Sequence, residues 1–478
     1  MRRAKIVATL GPATESPEKV QELVDAGMDV VRLNRSHGDR DEHRVMYKRV
    51  RAAAKAAGRN VAVLVDLQGP KIRLGRFADG GADLAFGDTF TITTEDVECT
   101  KDLASTTYKG LPGDCKPGDR ILIDDGRVAV RVTEVDGPRV VTSVEVSGRV
   151  SNNKGLNLPG VAVSVPALSE KDQDDLRWAI RLGADFIALS FVRTGADYED
   201  CARIMEEEGR RIPVLAKLEK PQAVENLPEI VAAFDGIMVA RGDLGVELPL
   251  EEVPIVQKRA VELARQNAKP VIVATQVLES MMTAPRPTRA EVSDCANAIL
   301  DGADAVMLSG ETSIGDYAVE CVRTMDKIVE RTETAGQARI APLGATPHTR
   351  SGVMTAAAVD IAKQLGVKYL VTFTQSGDSA RRMSRLRSPI PLLAFTPLGA
   401  TRNQLALSWG TQTFHVRRVD HTDEMVEMVD EVLQRQGLAK VGDRVVVVSG
   451  APVGISGTTN SVFVHKIGDL YDIVGGNL

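Results

Sequence analysis

The chain has 478 residues, with 59 lysines and arginines against 65 aspartates and glutamates, which gives a formal net charge of −6. At roughly 100 to 200 residues per domain, this length predicts about three domains, each large enough to bury a core without disulfides or structural metal. The near-balance of charge excludes a global attraction to nucleic acid or to an anionic membrane, so neither is expected as a partner. Any phosphate chemistry must therefore lie in a local site.

The five cysteines are widely separated and show no CxxC spacing, which is typical of reduced thiols in a cytoplasmic protein. The N-terminal residues MRRAK run into IVATLGPATESPE, whose apolar run is too short for a signal peptide. No stretch approaches the ~20 apolar residues that a membrane span requires. We therefore expect a cytoplasmic location.

Short apolar runs rich in β-branched residues alternate with longer amphipathic segments over most of the first 335 residues. The runs have the length of strands buried on both faces and the segments have the length of helices, so the pattern predicts an α/β fold built on a (β/α)₈ TIM barrel. In four runs an aspartate follows a small residue or a turn and precedes the apolar residues. The eight runs cover residues 5–11, 26–34, 60–69, 183–190, 212–219, 234–241, 269–276 and 302–310.

One interval interrupts this alternation after the third run. Residues 70–164 contain short β-type segments separated by Gly, Pro and Asp turns, without a strong helical period, and are predicted to form a small β-barrel lid domain. Because the insertion leaves the barrel at the carboxyl end of a strand, where active sites of this fold lie, it is well placed to close over the site. The barrel domain is thus discontinuous and covers residues 1–69 and 165–335.

A second alternation of strands and helices follows a segment rich in Ala, Gly, Thr and Pro at 332–350, which is predicted to be a linker. Its strands include KYLVTFT at 368–374 and DRVVVVSG at 443–450. Residues 336–478 are therefore predicted to form an open C-terminal α/β domain with a hairpin-like edge.

The polar residues that close the barrel strands form the candidate active site, because the carboxyl ends of all eight strands surround one mouth. Several are spaced i, i+2, which places both side chains on one face of a strand. Two carboxylates, Glu219 and Asp243, beside Lys217, Arg32 and Arg73 suit a hard divalent cation and a multiply anionic substrate, and oxygen ligands favour Mg²⁺ or Mn²⁺ over zinc. The strand-end residues are Arg32, Asn34, Ser36, Asp66, Lys217, Glu219, Arg241, Asp243, Thr275, Gln276, Ser309 and Glu311.

Simpler interpretations of these residues stay open at this point. Lys217 and Glu219 could form a structural ion pair, and Asp243 could cap the turn after its strand. The segment VARGDLGVELP at 239–249 could be an ordinary βα turn, or its Gly242 and Asp243 amides could bind a carboxylate or phosphate oxygen. The number of charged strand ends around one mouth favours the functional interpretation.

Motifs in a fixed order along the chain resemble those of the pyruvate kinase family, and the resemblance spans essentially the whole sequence. That family combines a barrel, a β lid inserted after the third strand and a C-terminal α/β regulatory domain, which agrees with the organisation predicted above. The matching stretches are VATLGPA (7–13), VVRLNRSHG (30–38), NKGLNLPGV (153–161), SFVR (190–193), AKLEKPQAVEN (216–226), MVARGDLGVE (238–247), ATQVLESM (274–281), PTRAEVSDCANAILDGADAVMLSGET (287–312) and GTTN (457–460).

The resemblance implies that the phosphoryl group of phosphoenolpyruvate passes to ADP, giving ATP and an enolate that is protonated to pyruvate. By position, Glu219 and Asp243 are expected to bind Mg²⁺ (or Mn²⁺), while Lys217, Arg73 and Arg32 stabilise the transferring phosphoryl group. Thr275 is similar to the family threonine near the protonated face of the enolate, where it either donates the proton or orients a water. The expected substrate contacts are Arg32, Lys217, Gly242, Asp243, Thr275 and Ser309. Because the family is typically tetrameric, a homotetramer is expected.

Two departures from the family pattern carry predictions. In DLQGPKIR (66–73), Lys71 stands where many members have glutamate, close to a region that holds a monovalent cation in many members. Lys71 would supply its own positive charge and repel K⁺, so activity that does not require K⁺ is predicted. Ile314 replaces a family lysine in GETSIG, which puts a phosphate or nucleotide contact there in doubt. The monovalent-cation region comprises Asn34, Ser36, Asp66 and Leu67.

A turn after the strand KYLVTFT resembles the effector loop of the family. Hydroxyls and backbone amides in such a turn form a phosphate cradle, although ordinary turn chemistry is the alternative. Asp378 would disfavour a doubly phosphorylated sugar, so a singly phosphorylated activator such as AMP or a sugar monophosphate is predicted over fructose bisphosphate. The predicted effector residues are Thr374, Ser376, Gly377, Asp378 and Ser379, with Gly457 in a second loop, 454–460, that is expected to close the same pocket.

Two other functions are compatible with parts of the sequence. Another Mg²⁺-dependent barrel enzyme acting on a pyruvate enolate, such as an aldolase or phosphoenolpyruvate mutase, would use the same Lys-x-Glu and distant Asp. It would not explain the lid, Arg73 or the C-terminal domain. A non-catalytic metabolite sensor would keep the fold, but the presence of Lys217, Glu219, Asp243 and Thr275 argues against it.

Overall fold

The computed structural model describes residues 2–161, 163–455 and 457–469. The chain begins with three parallel strands separated by two helices. Local sequence sets the helix ends: Ser16 accepts a hydrogen bond from the Lys19 amide at the start of the first helix, and Gly27 ends that helix in a left-handed conformation with φ 118°. These elements are β1 (Lys5–Thr9), α1 (Pro17–Ala26), β2 (Val30–Asn34), α2 (Arg40–Ala56) and β3 (Ala62–Asp66).

The segment inserted after β3, which we call the lid, is almost entirely β structure. It contains β4 (Gly81–Leu84), β5 (Thr89–Thr93), β6 (Leu103–Ser105), α3 (Leu111–Asp114), β7 (Arg120–Ile123), β8 (Val128–Asp136), β9 (Arg139–Val146), β10 (Gly148–Ser151) and β11 (Leu156–Asn157). Six strands form one sheet in the order β11-β7-β8-β9-β5-β6, and β10 pairs antiparallel with β4. Both sheets contribute to one apolar core that includes Leu84, Phe90 and Val150. The lid therefore packs around a core of its own.

The chain then returns to the barrel and adds five strands with helices between them. Capping boxes fix two helix starts, because Ser169 and Asp172 bond reciprocally, as do Thr288 and Glu291. The strands are β12 (Phe186–Leu189), β13 (Val214–Leu218), β14 (Gly236–Ala240), β15 (Val271–Ala274) and β16 (Ala305–Leu308). The helices are α4 (Glu170–Leu182), α5 (Tyr198–Glu207), α6 (Pro221–Glu225), α7 (Leu227–Ala233), α8 (Arg241–Glu247), α9 (Val253–Gln266), α10 (Arg289–Asp301), α11 (Gly310–Ser313) and α12 (Ala318–Gly336).

Eight parallel strands close into a barrel in the order β1-β16-β15-β14-β13-β12-β3-β2. One buried apolar cluster takes side chains from all eight strands, among them Val7, Leu64 and Met238, and so forms the barrel interior. A second, larger cluster packs the strands against the surrounding helices. Burial on both faces explains the near-continuous apolar runs of the sequence and confirms the predicted TIM barrel.

The aspartates of the repeated sequence pattern lie just before β2, β12, β14 and β16, at the end of the barrel that we call the floor (Asp29, Asp185, Asp235 and Asp304). Each carboxylate accepts a backbone N–H from the start of the neighbouring strand and pairs with an arginine. The backbone bonds are Ile6 to Asp29 at 2.9 Å, Val63 to Asp185 at 2.8 Å, Val214 to Asp235 at 3.0 Å and Val271 to Asp304 at 3.1 Å. The arginine partners are Arg2, Arg51, Arg211 and Arg387. The repeat therefore fixes the starts of adjacent strands to one another.

The C-terminal part forms a five-stranded sheet in the order β19-β18-β17-β20-β21, in which only the β20–β21 pair is antiparallel. Its elements are α13 (Arg350–Leu365), β17 (Tyr369–Phe373), α14 (Asp378–Ser384), β18 (Leu392–Thr396), α15 (Gly399–Gln404), β19 (Thr411–His415), α16 (Thr422–Arg435), β20 (Arg444–Gly450) and β21 (Thr459–Lys466). This sheet confirms the predicted open α/β domain. The domain contacts the barrel floor, where Asn403 donates to Asp185 at 3.1 Å and the Trp409 amide donates to Asp304 at 3.1 Å.

Two details concern the predicted boundaries. Helix α12 continues to Gly336, so the first residues of the expected linker at 332–350 are helical. Glu333 and Gly336 are buried there, and this burial keeps the segment in the helix. The division of the chain at residues 69/70, 164/165 and 335/336 stays a prediction. Ser456 and residues 470–478 of the predicted C-terminal domain lie outside the described residues. Within the described residues, no helix is both long and apolar enough to cross a membrane.

Candidate active site

A cavity of about 320 Å³ lies between the barrel mouth and the lid. Its lid side includes Lys71, Arg73 and Asn153, and its barrel side includes Phe191 and Asp243. The insertion therefore covers the carboxyl ends of the barrel strands, where the predicted site residues lie.

Lys217 lies among the buried charges of the mouth. Its Nζ is 2.7 Å from Glu219 Oε1 and 3.4 Å from Asp66 Oδ1, and it donates a hydrogen bond of 2.8 Å to Ser190 Oγ. Burial opposes the charge on the ammonium, but Asp66 and Glu219 outweigh burial and raise the pKa of Lys217 above its usual range. Lys217 is therefore a fixed positive charge at neutral pH.

Arg32 supplies the second cation of the mouth from the end of β2. Its Nε donates to Asp66 Oδ2 at 2.7 Å, and its Nη1 donates to Thr9 Oγ1 at 3.1 Å. Asp66 is only 1% exposed, and burial alone would raise its pKa. Lys217 and Arg32 reverse that effect and lower the pKa of Asp66, so this carboxylate stays ionised between two cations.

Several oxygens of the predicted monovalent-cation region contact groups of the chain itself. Asn34 Oδ1 accepts the Ser36 N–H at 3.1 Å, and the Leu67 carbonyl accepts the Ser190 hydroxyl at 2.7 Å. The two oxygens of Asp66 face Arg32 and Lys217. Arg32 and Lys217 thus already place positive charge next to the Asp66 oxygens.

Glu219 and Asp243 are the two carboxylates that could hold a divalent metal. Glu219 is 1% exposed, and its Oε2 accepts the Phe191 N–H at 2.7 Å. Burial raises the pKa of Glu219, and Asp243 adds to this effect while Lys217 opposes it. Within the described residues, the Asp243 carboxylate receives no hydrogen bond or ion pair, and no group of three or more His, Cys, Asp or Glu residues could hold a metal by itself. Two carboxylates completed by water and substrate oxygens suit Mg²⁺ or Mn²⁺.

Thr275 and Gly242 lie on adjacent strand ends and contact each other. Thr275 has a φ of 67°, uncommon for a β-branched residue, and its Oγ1 accepts the Gly242 N–H at 2.7 Å. The same hydroxyl donates to the Ala274 carbonyl at 2.6 Å, and Arg241 holds the Thr275 carbonyl at 2.8 Å. A substrate oxygen at the Gly242 amide would therefore have to replace the bond to Thr275.

Ser309 closes β16 with an unused hydroxyl. Its Oγ is buried and has no hydrogen-bond partner among the described residues. Its backbone N–H donates to Glu311 Oε2 at 2.7 Å, and Glu311 Oε1 accepts the Leu278 N–H at 3.2 Å. Glu311 therefore links two loops of the mouth and holds the Ser309 backbone in place, while the Ser309 hydroxyl makes no hydrogen bond to a described residue.

Lys71 and Arg73 reach the cavity from the start of the lid. Arg73 Nη1 donates to the Asn153 carbonyl at 2.8 Å. The Lys71 side chain lies at the cavity wall. Partial desolvation lowers the pKa of Lys71, and Arg73 acts in the same direction while Asp243 opposes it. Lys71 thus faces the predicted site.

Sequence reasoning missed two contacts of the mouth, made by Ser190 and by Lys220. Ser190 bonds both Lys217 and the Leu67 carbonyl, and Lys220 Nζ is 2.6 Å from Glu247 Oε1. Asn157 of the lid donates to the same oxygen at 3.0 Å, so the lid is linked to α8. Both residues lie in motifs already noted, SFVR and AKLEKPQ. Strand periodicity gave no signal because each contact joins groups from different parts of the chain.

Comparisons with known proteins bear on this arrangement. The family model described as "Pyruvate kinase, barrel domain" matches residues 1–322, and the model described as "Pyruvate kinase, alpha/beta domain" matches residues 353–465. The chain belongs to the pyruvate kinase family. The pyruvate kinase of Mycobacterium tuberculosis is 57% identical over 98% of this chain and 99% of its own length, and that of Corynebacterium glutamicum is 58% identical over 98% of each. A crystal structure of a pyruvate kinase from Cryptosporidium parvum matches with a TM-score of 0.91 at 33% identity, over 98% of this chain and 96% of that chain.

Membership of the pyruvate kinase family makes the protein a phosphotransferase with phosphoenolpyruvate and ADP as substrates and pyruvate as product. The functional prediction is confirmed at this level. The aldolase or mutase alternative and the non-catalytic sensor alternative are thereby set aside.

A second cavity, of about 60 Å³, lies at the predicted effector loop. Thr374 Oγ1 accepts the Gly377 N–H at 2.9 Å, and the Ser379 and Thr459 hydroxyls bond at 2.7 Å. Asp378 pairs with Arg382 at 2.6 Å, so its negative charge is offset. The lining residues are Phe373, Thr374, Gln375, Ser376, Asp378, Ser379, Phe395, Pro397, Val416, Arg417, Arg418, Val419, Met425, Gly450, Val453, Gly454, Ile455, Gly457, Thr458 and Thr459. Sequence reasoning missed the arginines at 417 and 418, because they follow a different strand.

Proposed function

We propose that the barrel mouth transfers the phosphoryl group of phosphoenolpyruvate to ADP, with Lys217, Arg32 and Arg73 as the cations that stabilise it. The observation that carries this proposal is the contact of Lys217 with Glu219, Asp66 and Ser190, which fixes a permanent charge beside the cavity. A loose phosphoryl-transfer transition state spreads negative charge over several oxygens, so positioned cations lower its energy. Ser309, with its unused hydroxyl, and the Gly242 amide would contact the substrate.

Glu219 and Asp243 would hold Mg²⁺ or Mn²⁺, which when bound neutralises phosphate charge and polarises the substrate oxygens. The donor set fits, because both groups are carboxylates and Asp243 has no partner of its own within the described residues. Glu219 Oε1 is engaged by Lys217. Metal binding therefore requires Glu219 to be shared between Lys217 and the ion.

Thr275 would act in the protonation of the enolate, either as donor or by orienting a water. Its hydroxyl both accepts from Gly242 and donates to the Ala274 carbonyl, which holds the oxygen in one place. A hydroxyl so positioned can relay a proton without becoming charged itself.

A coupled assay of ADP-dependent pyruvate formation tests the proposal with Lys217→Ala. We expect kcat to fall by about 10³-fold or more, the scale of losing a preorganised charge at the reacting atoms. Lys258→Ala on the exposed face of α9 serves as the matched control and should keep full activity. Full turnover in Lys217→Ala would refute the role of this residue.

We infer further that activity does not require K⁺. Lys71 brings an ammonium to the cavity wall near Asp243 and Glu219, and the two carboxylate oxygens of Asp66, in the monovalent-cation region, already face Arg32 and Lys217. An added K⁺ would be repelled by these charges. The test is a potassium-free assay at constant ionic strength, in which the natural chain keeps its rate and Lys71→Glu becomes K⁺-dependent. Lys116→Glu, exposed in the lid, is the control, and a strong rate increase with KCl in the natural chain would overturn the inference.

We also propose that a phosphorylated metabolite activates the enzyme at the effector loop. Hydroxyls of Thr374, Ser376 and Ser379 and the guanidinium groups of Arg417 and Arg418 line one cavity, and a phosphate group would take both kinds of donor. The preference for AMP or a sugar monophosphate over a bisphosphate rests on the negative charge of Asp378, which Arg382 partly offsets at 2.6 Å. Activation at lower concentrations of fructose 1,6-bisphosphate than of AMP would contradict this preference. Arg418→Ala should weaken activation while leaving the unactivated rate unchanged.

A homotetramer and a cytoplasmic location complete the proposal. The homotetramer follows from the family resemblance, whereas the location follows from the cysteine pattern of the sequence, and the cysteines that support a reducing compartment are buried free thiols. Light scattering of the purified chain measures the first, and fractionation of cells measures the second.

A further inference from the structure

Three polar side chains meet where the lid rests on α8, and we call Asn157, Lys220 and Glu247 the latch. Glu247 Oε1 accepts a hydrogen bond of 3.0 Å from Asn157 Nδ2 and lies 2.6 Å from Lys220 Nζ. Glu247 is 6% exposed and Lys220 is 9% exposed, and Glu247 Oε2 is buried without a hydrogen bond to any described residue. The lid is thus attached to an ion pair that the barrel buries.

One end of the latch lies on the helix that carries Asp243. Helix α8 has only seven residues, with Asp243 in its first turn and Glu247 as its last residue. Side chains four residues apart lie on the same face of a helix. Asp243 lines the cavity under the lid. A contact that holds Glu247 therefore also limits how far the Asp243 carboxylate can shift.

The other end of the latch leads to Glu219 through Phe191. Lys220 Nζ lies 5.6 Å from the centre of the Phe191 ring, within the range of cation–π attraction. Phe191 has a φ of 55°, uncommon for a bulky residue, and its ring packs so closely on Gly69 that a Cβ there would lie 2.5 Å from it. In this conformation the Phe191 N–H donates to Glu219 Oε2 at 2.7 Å. Lys220 thus helps to hold the amide that orients Glu219.

We propose that the latch residues are positioning residues, which couple the closed position of the lid to the geometry of Glu219 and Asp243. The inference rests on the proposed function, in which these two carboxylates hold the divalent metal. Groups that fix the orientation of metal ligands tune the affinity for the metal. Because coupling is reciprocal, a metal ion that orders the two carboxylates also favours the closed lid. The metal site is therefore fully ordered only while the lid contacts α8.

Mn²⁺ binding to the full chain without substrates tests the charge pair, with the free ion measured by electron paramagnetic resonance. Lys220→Met keeps the length of the side chain but loses its charge, so the affinity for Mn²⁺ should fall by about 10-fold. Lys220→Arg keeps a cation for both Glu247 and Phe191 and should restore most of the affinity. Lys327→Met, on the exposed face of α12, is the matched control and should bind like the natural chain. An unchanged affinity in Lys220→Met would overturn the proposal.

Asn157→Ala tests the lid side of the latch. It should weaken Mn²⁺ binding less than Lys220→Met does, because the ion pair remains. Hydrogen exchange of the Phe191 N–H should be faster than in the natural chain for both variants, since this amide is the link to Glu219. If the latch acts as a unit, Asn157→Ala costs less affinity in the Lys220→Met background than in the natural chain. Fully additive losses, or unchanged exchange in Asn157→Ala, would contradict the coupling.

Glu219→Gln separates this inference from the assignment of the metal site. If Glu219→Gln binds Mn²⁺ like the natural chain, the metal assignment is wrong and the coupling to it is wrong as well. If Glu219→Gln loses Mn²⁺ binding while Lys220→Met keeps it, only the role of the latch is wrong. Where Lys220→Met fails to fold because Glu247 is left buried without its cation, the double variant with Lys220→Met and Glu247→Gln removes both charges and carries the same expectation.

Discussion

The floor and the mouth of the barrel both carry buried carboxylates beside cations, but they use them differently. At the floor, Asp29, Asp185, Asp235 and Asp304 each accept a backbone N–H from a neighbouring strand and pair with an arginine. At the mouth, Lys217 is shared between carboxylates, Asp243 has no partner within the described residues, and the Ser309 hydroxyl is unused. Carboxylates that are fully engaged hold strands together, whereas groups left partly unpaired are prepared for a ligand.

The largest expected effect concerns the mouth. Glu219→Gln removes a proposed metal ligand and should lower kcat/KM by about 10³-fold, with little change in the free energy of unfolding. Steady-state kinetics over a Mg²⁺ titration measures the loss. Asp235→Asn at the floor is the matched control and should leave the Mg²⁺ dependence intact. A similar Mg²⁺ dependence in Glu219→Gln and Asp235→Asn would contradict the proposed difference between the mouth and the floor of the barrel.

At the floor, the reverse pattern is expected. Asp185→Ala leaves the Val63 amide and Arg51 without their carboxylate, so the free energy of unfolding should fall by about 3 kcal/mol. Urea unfolding measures this loss. The rate per folded molecule should stay close to that of the natural chain. Asp41→Ala on the exposed face of α2 is the control and should change neither the free energy of unfolding nor the rate. A large fall of kcat in Asp185→Ala would show that the floor contributes to catalysis.

A pH effect sharpens the comparison at the rim of the mouth, where Arg35 contacts a histidine as well as the carboxylate of Asp175. His43 Nδ1 accepts from Arg35 Nη1 at 2.7 Å, and burial together with Arg35 lowers the pKa of His43 to about 4. The unfolded chain therefore binds more protons than the folded chain between about pH 6.5 and pH 4, so stability is lost as the pH falls through this window. The loss reaches about 3 kcal/mol at most.

Urea unfolding between pH 7 and pH 4 measures this dependence against His43→Gln, which keeps an acceptor but does not titrate. The variant should lose less stability over the window. Identical pH profiles for the two chains would show that His43 does not contribute.

The smallest effect is expected at Ser309. Its hydroxyl is buried without a partner, so Ser309→Ala should leave the free energy of unfolding unchanged or raise it by about 1 kcal/mol. If the hydroxyl contacts phosphoenolpyruvate, KM for this substrate rises several-fold. Thermal unfolding and steady-state kinetics together separate the two effects. A clear loss of stability would show that the hydroxyl already has a structural partner.

Much of the fold could be predicted from sequence because burial on both faces leaves a strong pattern. The apolar runs identified all eight barrel strands, and the loss of helical period after Gly69 identified the inserted lid. The strand-end positions of Lys217, Glu219 and Asp243 followed from the same pattern. The contacts of Ser190 and Lys220 were not predictable, because each joins groups that are far apart in the chain: Ser190 bonds Lys217, and Lys220 bonds Glu247.

The role of the repeated aspartates also needed the structure. In the sequence, these aspartates are seen only to precede apolar runs. That position suits a turn residue, a helix cap or a ligand-binding residue. Only the closed barrel brings each carboxylate to the first amides of the neighbouring strand. The same holds for Arg417 and Arg418, which reach the effector cavity because β18 and β19 are adjacent in the sheet.

By itself the sequence determined which elements form, where the lid is inserted and which side chains meet at the barrel mouth, because local patterns of burial and the parallel order of strands dictate these features. The tertiary structure alone decided which charges pair. Lys217 pairs with the distant Asp66 in addition to its neighbour Glu219, and Arg265 and Arg385 are buried without an acid. Charge pairing depends on distances between residues far apart in the chain, and electrostatic energy varies with those distances and with burial.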